Sequence, residues 1–291
     1  MDSSESESGD ICGIIEADGL ALEELPLGQV PGSKGWRVSV LHVLAPRHPV
    51  VEDEDGDLAM PRGELQASPA PELLGWRIAL ARLASSQLHR VGLQLWAGAL
   101  VLSDFLLWRP EVVRDKKVCE LGAGLGLCSL LAGRLGAQVL CTDGSAEACE
   151  NCRRNLQQNG AKAVTVEVLR WEAPPSLDVG EVWQCEVLLA ADVIYDAEAA
   201  ASFAQLASQL LKKRARALYL SLEKRVYFSS TTLKPEVAAY PQFWEDCEAL
   251  GLNVESVDLS SIPVHFNYLR SRFYDLVVIT ARCQKRKVDD M

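Results

Sequence analysis

The sequence has few histidines and no long uninterrupted apolar stretch. Four of its 291 residues are histidines, and apolar runs such as residues 186–195 stop well short of the roughly 20 residues that a membrane-spanning helix needs. Its first residues are acidic and polar, without the basic start and apolar core of a secretory signal. We therefore expect an intracellular protein that does not enter a membrane.

Positive charge is also scarce. The chain holds 29 Lys and Arg against 40 Asp and Glu, a formal net charge of −11. Residues 1–90 carry 7 basic and 15 acidic side chains, whereas residues 91–291 carry 22 and 25, so the acidity is concentrated near the N-terminus. Since no basic stripe is available to hold a phosphate backbone, nucleic acid is not expected as a direct ligand.

The cysteines point to a reducing compartment. There are nine, an odd number, in a chain long enough to build its core without cross-links. Cys149 and Cys152 form a lone C-x-x-C with no second pair and no histidine nearby, so we expect two helix-borne thiols and no metal site. The expected localisation is the nucleus and/or the cytoplasm, because Lys285-Arg-Lys287 is too short to assign a nuclear address.

The N-terminal part of the chain differs in pattern from the rest. Residues 1–10 are predicted to be disordered, and residues 50–71 read as an acidic linker with several prolines. Between them Gly35–Leu44 alternates like a strand, and the apolar side chains of residues 76–83 suggest a second strand or hairpin arm.

We divide the chain accordingly into two regions. Residues 1–75 are predicted to form an acidic, partly disordered N-terminal extension, and residues 76–291 a single domain. The acidic run Glu52-Asp-Glu-Asp-Gly-Asp57 in the extension either attracts a lysine-rich partner or is simply a solvated linker.

Beyond Val91, strand patterns alternate with helix patterns. Helices are predicted over residues 96–108, 127–135, 145–159, 197–212 and 241–250, and strands over 117–121, 138–141, 164–169, 187–191, 217–222, 253–259 and 274–280. This order predicts a doubly wound α/β domain with a seven-strand, mostly parallel sheet. The last two strands have no clear helix between them, which fits an antiparallel final strand although the pattern does not require one.

Ligands bind such sheets outside the carboxyl ends of the strands. The first strand runs into Glu120-Leu-Gly-Ala-Gly-Leu-Gly126, whose glycines permit either a close approach to a ligand or merely a tight turn. The spacing E-x-G-x-G-x-G differs from the G-x-G-x-x-G of dinucleotide enzymes. At the end of the second strand, Asp143 can accept hydrogen bonds from two ribose hydroxyls or cap the next helix.

The third and fourth strands end in further candidates. Trp171 can pack against an adenine ring or serve as a core tryptophan. Asp192 and Tyr195 follow small residues that leave room for a cofactor, or else form a buried structural pair. After the fifth strand, Glu223 and Arg225 lie at the rim of the same edge, where they bind a substrate or form a surface ion pair.

Taken in order, these motifs resemble the family 16 group of protein-lysine methyltransferases, over residues 91–230. The residues that carry the resemblance are Val91-Gly-Leu-Gln-Leu-Trp-Ala-Gly98, Glu120–Gly126, Thr142-Asp143, Trp171 and Asp192-Val-Ile-Tyr195. A further likeness to one branch of the family lies in Leu220-Ser-Leu-Glu-Lys-Arg225 and in Glu54-Asp-Gly-Asp-Leu58. The family has a class I, Rossmann-like methyltransferase fold and uses S-adenosyl-L-methionine.

The resemblance implies a role for each matching position. The implied cofactor-binding residues are Trp96, Glu120, Gly122, Ala123, Gly124, Gly126, Asp143, Trp171 and Ala191. Asp192 and Tyr195 are the implied catalytic pair, lining the channel through which the lysine of a substrate protein enters. Arg170 stands where family members often carry an acidic residue, and Glu172 is the side chain that can replace it near the adenine amine. We expect the protein to act as a monomer.

Three alternatives remain open. The first is a methyltransferase with a nucleic-acid or small-molecule target. Enzymes that methylate a nucleic-acid base usually carry N/D-P-P-Y/F after the fourth strand, where this chain has Ala191-Asp-Val-Ile-Tyr195. A nicotinamide-dependent oxidoreductase is opposed by the glycine spacing. The third alternative is a protein-interaction module that keeps the methyltransferase fold without catalysis.

Overall fold

The computed structural model describes residues 35–48, 73–176, 180–224 and 240–282, together with the short strand segments 23–25, 51–52, 58–59, 226–228 and 235–237. The predicted disordered residues 1–10, most of the acidic linker, Arg225 and Lys285–Lys287 lie outside the described residues.

Within these residues the chain forms strands and helices, which alternate strictly over residues 97–168. The strands are β1 (Glu23–Leu25), β2 (Trp36–Leu44), β3 (Val51–Glu52), β4 (Leu58–Ala59), β5 (Leu73–Leu83), β6 (Lys117–Leu121), β7 (Gln138–Asp143), β8 (Val164–Val168), β9 (Val187–Ala191), β10 (Ala217–Glu223), β11 (Val226–Phe228), β12 (Pro235–Val237), β13 (Leu252–Ser256) and β14 (Tyr274–Ala281). The helices are α1 (Ala97–Trp108), α2 (Leu127–Arg134), α3 (Ala146–Gln158), α4 (Ala197–Lys213) and α5 (Tyr240–Ala249).

Seven strands form the central sheet in the order β13-β14-β10-β9-β6-β7-β8. The pairs β8–β7, β7–β6, β6–β9 and β9–β10 are parallel, and β14 runs antiparallel to both of its neighbours. This confirms the predicted doubly wound, mostly parallel α/β sheet, including the antiparallel last strand. The strand predicted over residues 253–259 is shorter, because it ends at Ser256 and Asp258 caps a 3-10 turn over Leu259–Ser261.

The two faces of the sheet are covered by different helices. Along β9, Val187 and Leu189 pack with α1 and α2, whereas Leu188 and Ala190 pack with Phe203 of α4. This alternation follows from the period of two in a strand. Because both faces are buried, β9 is apolar along its whole length, as parallel strands with helices on both sides require.

A second sheet, β1-β2-β5, lies beside the domain. β2 and β5 pair antiparallel over Trp36–Leu44, as the alternating pattern of these residues predicted, with an irregularity between His42 and Leu44. The predicted boundary between residues 75 and 76 lies inside β5.

A buried ion pair fixes the segment before β14 to α1. The Arg270 guanidinium lies 2.6 Å from Asp104 Oδ2, and Tyr268 Oη donates to the same oxygen at 2.8 Å. Arg270 also donates to the carbonyls of Leu259 and Ile262. Burial raises the pKa of Asp104 in spite of its cationic partner. None of the helices among the described residues is long and apolar enough to cross a membrane.

Candidate functional site

A cleft of about 480 Å³ opens at the carboxyl ends of β6, β7 and β9. The strand order reverses between β6 and β9, and open α/β sheets bind ligands at such a switch point. The cleft brings together ten of the predicted site residues, namely Trp96, Glu120, Gly122, Ala123, Gly124, Asp143, Trp171, Ala191, Asp192 and Tyr195.

The glycine loop after β6 has a backbone that other residues would strain. Gly124 has φ +53°, and a Cβ there would lie 3.0 Å from the carbonyl oxygen of Gly92. Gly126 has φ +82°, and its Cβ would lie 2.5 Å from Cys152 Sγ. Gly126 does not line the cleft; it precedes α2 and packs against α3, so its place in the motif is explained by the turn.

Asp143 at the end of β7 holds the glycine loop in place. Its Oδ2 accepts the Gly124 N–H at 3.0 Å, and its Oδ1 accepts the Ser145 N–H at 2.9 Å. The cap of α3 is Ser145 itself, whose Oγ accepts the Ala148 N–H. A carboxylate has about four acceptor positions, so two remain for a ligand. Burial raises the pKa of Asp143.

Glu120 lies at the base of the cleft with 2% of its surface exposed. Its Oε2 accepts two hydrogen bonds from Ser129, one from the backbone N–H at 2.7 Å and one from Oγ at 2.5 Å. Burial raises the pKa of Glu120 to about 7, and the Ser129 hydrogen bonds oppose that shift. A cationic group placed beside this buried carboxyl would stabilise its ionised form and lower its pKa.

Trp171 forms part of the opposite wall. Its ring meets Phe203 edge-on, with centroids 5.2 Å apart, and a Cβ on Gly122 would lie 3.1 Å from it. In the described structure its buried indole Nε1 has no hydrogen-bond partner. Arg170 and Glu172 flank Trp171, and both are exposed and line the cleft.

Asp192 connects three elements at the other end of the cleft. Its Oδ2 accepts the Gly98 N–H in the first turn of α1 at 2.7 Å, and its Oδ1 accepts the Glu223 N–H at 2.9 Å. Asp192 is 8% exposed and has φ +54°, which is unusual for a residue with a side chain. The carboxylate therefore joins α1 to β10 and also faces the cleft. Its predicted role in catalysis stays a prediction.

Trp96 and Tyr195 complete this end. Trp96 is the residue before α1, and its indole Nε1 donates to the Val91 carbonyl at 2.9 Å. Tyr195 follows β9 by four residues and is half-buried in the cleft wall. Both residues line the cleft, and their predicted roles stay predictions.

The predicted substrate-binding pair is only partly described. Glu223 ends β10 and touches the site through its backbone, but its side chain is not among those lining the cleft. Arg225 lies outside the described residues, so the predicted binding of a substrate by this pair, and the alternative of a surface ion pair, both stay predictions.

Sequence reasoning did not assign three residues that shape the cleft. Gly92 contacts the backbone of Gly124, and Gly98 leaves no room for a Cβ because the Asp192 carboxylate would lie 2.5–2.8 Å away. Both glycines belong to the motif over residues 91–98, so their positions in that motif could have identified them as residues of the site. Ser221, whose Oγ donates to the Gly98 carbonyl at 2.7 Å, lies in the likeness over residues 220–225, but that likeness was not used to assign it a role.

Comparison with known proteins identifies the family to which the chain is similar. A family model described as "Lysine methyltransferase" matches residues 80–235. The chain is 31% identical over 225 residues to methyltransferase-like protein 22 of Mus musculus, covering 70% of this chain and 56% of that protein. This match confirms the likeness to one branch of the family.

Shorter matches carry different names. A protein N-lysine methyltransferase of Danio rerio, METTL21A, is 37% identical over 105 residues, which are 35% of this chain and 47% of that one. A histone-arginine methyltransferase of Xenopus laevis, METTL23, is 34% identical over 109 residues, 36% of this chain and 45% of that one. The chain therefore spans about half the length of these relatives.

Proposed function

The chain belongs to the lysine methyltransferase family, and on that premise we propose that it transfers a methyl group from S-adenosyl-L-methionine to a lysine side-chain amine of a partner protein. The observation that carries this proposal is the convergence of the glycine loop, Asp143, Trp171 and the Asp192–Tyr195 segment on one cleft. We infer that the protein works as a monomer in the nucleus or cytoplasm.

The residues of the cleft fit this cofactor. Asp143 has acceptor positions left for ribose hydroxyls, the backbone of the glycine loop reaches the cleft surface, and the buried Trp171 Nε1 lacks a partner among the described residues. Glu120 lies buried at the base of the cleft, where the ammonium of a methionine moiety would stabilise its carboxylate and lower its raised pKa. When bound, the cofactor supplies a methyl group on a positively charged sulfur.

The protein's own residues have to position and desolvate the acceptor nitrogen. An ammonium has no lone pair, so the lysine must be neutral when it attacks. The Asp192 carboxylate, fixed by two backbone amides, places a negative charge where positive charge develops on that nitrogen. Tyr195 offers a hydroxyl that can orient it, and Trp96 covers the α1 side of the cleft.

The first test is calorimetric titration with S-adenosylmethionine and S-adenosylhomocysteine, using wild type and Asp143→Ala. We expect micromolar binding to wild type and binding weakened about tenfold by the substitution, since ribose contacts and the loop anchor are both lost. Absence of binding to folded wild type would contradict the proposal and favour an interaction module.

The second test identifies the methylated residue. The protein is incubated with a cell extract and labelled cofactor. Acid hydrolysis of the labelled proteins then releases their amino acids, and chromatography separates methyl-lysine from methyl-arginine. Label in lysine is the expected result. Label in arginine would instead support the alternative that the match to the Xenopus histone-arginine methyltransferase suggests, and label in nucleic acid would contradict a protein substrate.

A further inference from the structure

Three asparagines lie on one face of α3 and its C-terminal end. Asn151, Asn155 and Asn159 are spaced four residues apart, which brings them into line along a helix. Asn151 and Asn155 are 3% and 1% exposed. Such polar side chains are buried only where hydrogen bonds satisfy them, and all three bind the backbone of β5.

The asparagines take the place of a neighbouring strand. The Ala81 N–H donates to Asn155 Oδ1 at 2.8 Å, and Asn151 Nδ2 donates to the Ala81 carbonyl at 2.9 Å. The Ala79 N–H donates to Asn159 Oδ1 at 2.9 Å, and Asn159 Nδ2 returns a bond to the Ala79 carbonyl at 2.7 Å. The edge of β5 that β2 leaves unpaired is therefore satisfied by side chains.

Asn155 differs from the other two asparagines in one contact. Its Nδ2 also donates to the carbonyl of Leu125 at 3.2 Å. Leu125 stands between Gly124, which lines the cleft, and Gly126, so this bond reaches the centre of the glycine loop. The bonds described for Asn151 and Asn159 reach β5 and their own helix instead.

We propose that Asn155 is a positioning residue for cofactor binding. Its Nδ2 holds the Leu125 carbonyl, while its Oδ1 is held by the Ala81 N–H of the antiparallel β2–β5 pair, here called the N-terminal hairpin. The inference rests on the proposed function, because the loop matters through the cofactor it binds. Asp143 fixes the same loop from the β7 side at Gly124. The loop is thus held from two sides, and Asn155 makes its shape depend on the docked hairpin.

The test compares Asn155→Ala with Asn159→Ala, a control that loses hairpin bonds without losing a loop bond. Both variants should melt earlier than wild type. Only Asn155→Ala should weaken S-adenosylhomocysteine binding in calorimetry, by about threefold to tenfold, the effect of one hydrogen bond. Asn155→Asp keeps the acceptor for the Ala81 N–H but loses the Nδ2 donor to the carbonyls of Leu125 and Ala81, so it should resemble Asn155→Ala and serves if that variant does not fold.

Amide hydrogen exchange of residues 122–126 without ligand gives an independent readout. The loop amides should exchange at least about threefold faster in the Asn155 variants than in Asn159→Ala. If the Asn155 variants and Asn159→Ala have equal exchange rates and equal affinities, the inference is overturned, and Asn155 only binds the N-terminal hairpin. If wild type binds no cofactor while the exchange difference is present, the proposed function fails and the positioning of the loop stands.

Discussion

The two ends of the cleft are built in different ways. At the ends of β6 and β7 the backbone takes positive φ at glycines. There the Glu120 side chain accepts hydrogen bonds from the first turn of α2, and Asp143 accepts one from the glycine loop. At the ends of β9 and β10 the residue with positive φ is Asp192 itself, and its one carboxylate binds both α1 and β10.

The two ends differ in which residues adopt the left-handed backbone conformation. In the glycine loop, residues without a side chain adopt the left-handed conformation at little cost. Asp192 adopts it with a side chain, at a cost of about 1 kcal/mol or more, which its two short bonds to backbone amides offset. After the roles proposed above, we call the ends of β6 and β7 the cofactor end and the ends of β9 and β10 the acceptor end. Substitutions that add atoms should therefore destabilise the cofactor end most, and substitutions that remove atoms should destabilise the acceptor end most.

The largest effect is expected for Asp192→Ala. The buried Gly98 N–H and the partly buried Glu223 N–H would lose their acceptor, at about 1–3 kcal/mol in free energy of unfolding for the buried amide and less for the other. Methyl transfer should fall by more than about a hundredfold, since the acceptor end loses its charge. Denaturant unfolding and labelled-methyl transfer measure the two losses.

Asp196→Ala is the matched control for that substitution. Asp196 also accepts a backbone N–H in a first helical turn, that of Ala199 in α4, at 2.9 Å, but it does not line the cleft. Its removal should lower the free energy of unfolding by about 1 kcal/mol and leave methyl transfer unchanged. Equal loss of activity in both variants would mean that Asp192 acts only through the fold.

The next effect is a pH dependence at the cofactor end. The pKa of Glu120 rises from 4.5 to about 7 on folding, so the folded state binds more protons between these values and its stability falls as pH rises through this window. Glu120→Gln should remove that slope. The difference between the two stability curves, measured in guanidinium from pH 4 to 8, should reach roughly 3 kcal/mol at most. Parallel curves would contradict the raised pKa.

Much of the cofactor end was predictable because its signals are local. The glycine spacing in Glu120–Gly126 and the helix pattern over residues 145–159 each depend on a few neighbouring residues, and the structure has α3 over Ala146–Gln158. The alternation of strands and helices predicted the sheet for the same reason.

The acceptor end was less predictable because its contacts join distant segments. Asp192 meets residues 94 and 31 positions away, and no local pattern reports such bonds. The same holds for β5, whose outer edge is paired with side chains of α3 some 70–80 residues later. A period-two pattern predicts the strand without predicting what covers it.

A smaller effect is expected for Gly126→Ala. Its φ of +82° imposes a backbone penalty of about 1–2 kcal/mol on any side chain. Gly160→Ala carries the same kind of penalty, because Gly160 has φ +69°, but nothing lies within 4 Å of its Cβ. Gly126→Ala should exceed this control by about 1 kcal/mol, the cost of crowding Cys152 Sγ. Equal melting temperatures would show that the thiol moves aside freely.

The smallest effect should come from the ion pair of Arg90 and Glu147, which lies beside the cofactor end. Arg90 binds Glu147 through two nitrogens, at 2.5 and 3.0 Å, yet the side chains are 35% and 51% exposed. Exposed pairs contribute about 0–1 kcal/mol because water screens them. A double-mutant cycle of Arg90→Ala and Glu147→Ala should therefore give a coupling below about 1 kcal/mol, and cofactor affinity should not change. A larger coupling, or weakened S-adenosylhomocysteine binding in Arg90→Ala, would show that this end of the cleft depends on surface charge as well as on the glycine loop and its buried carboxylates.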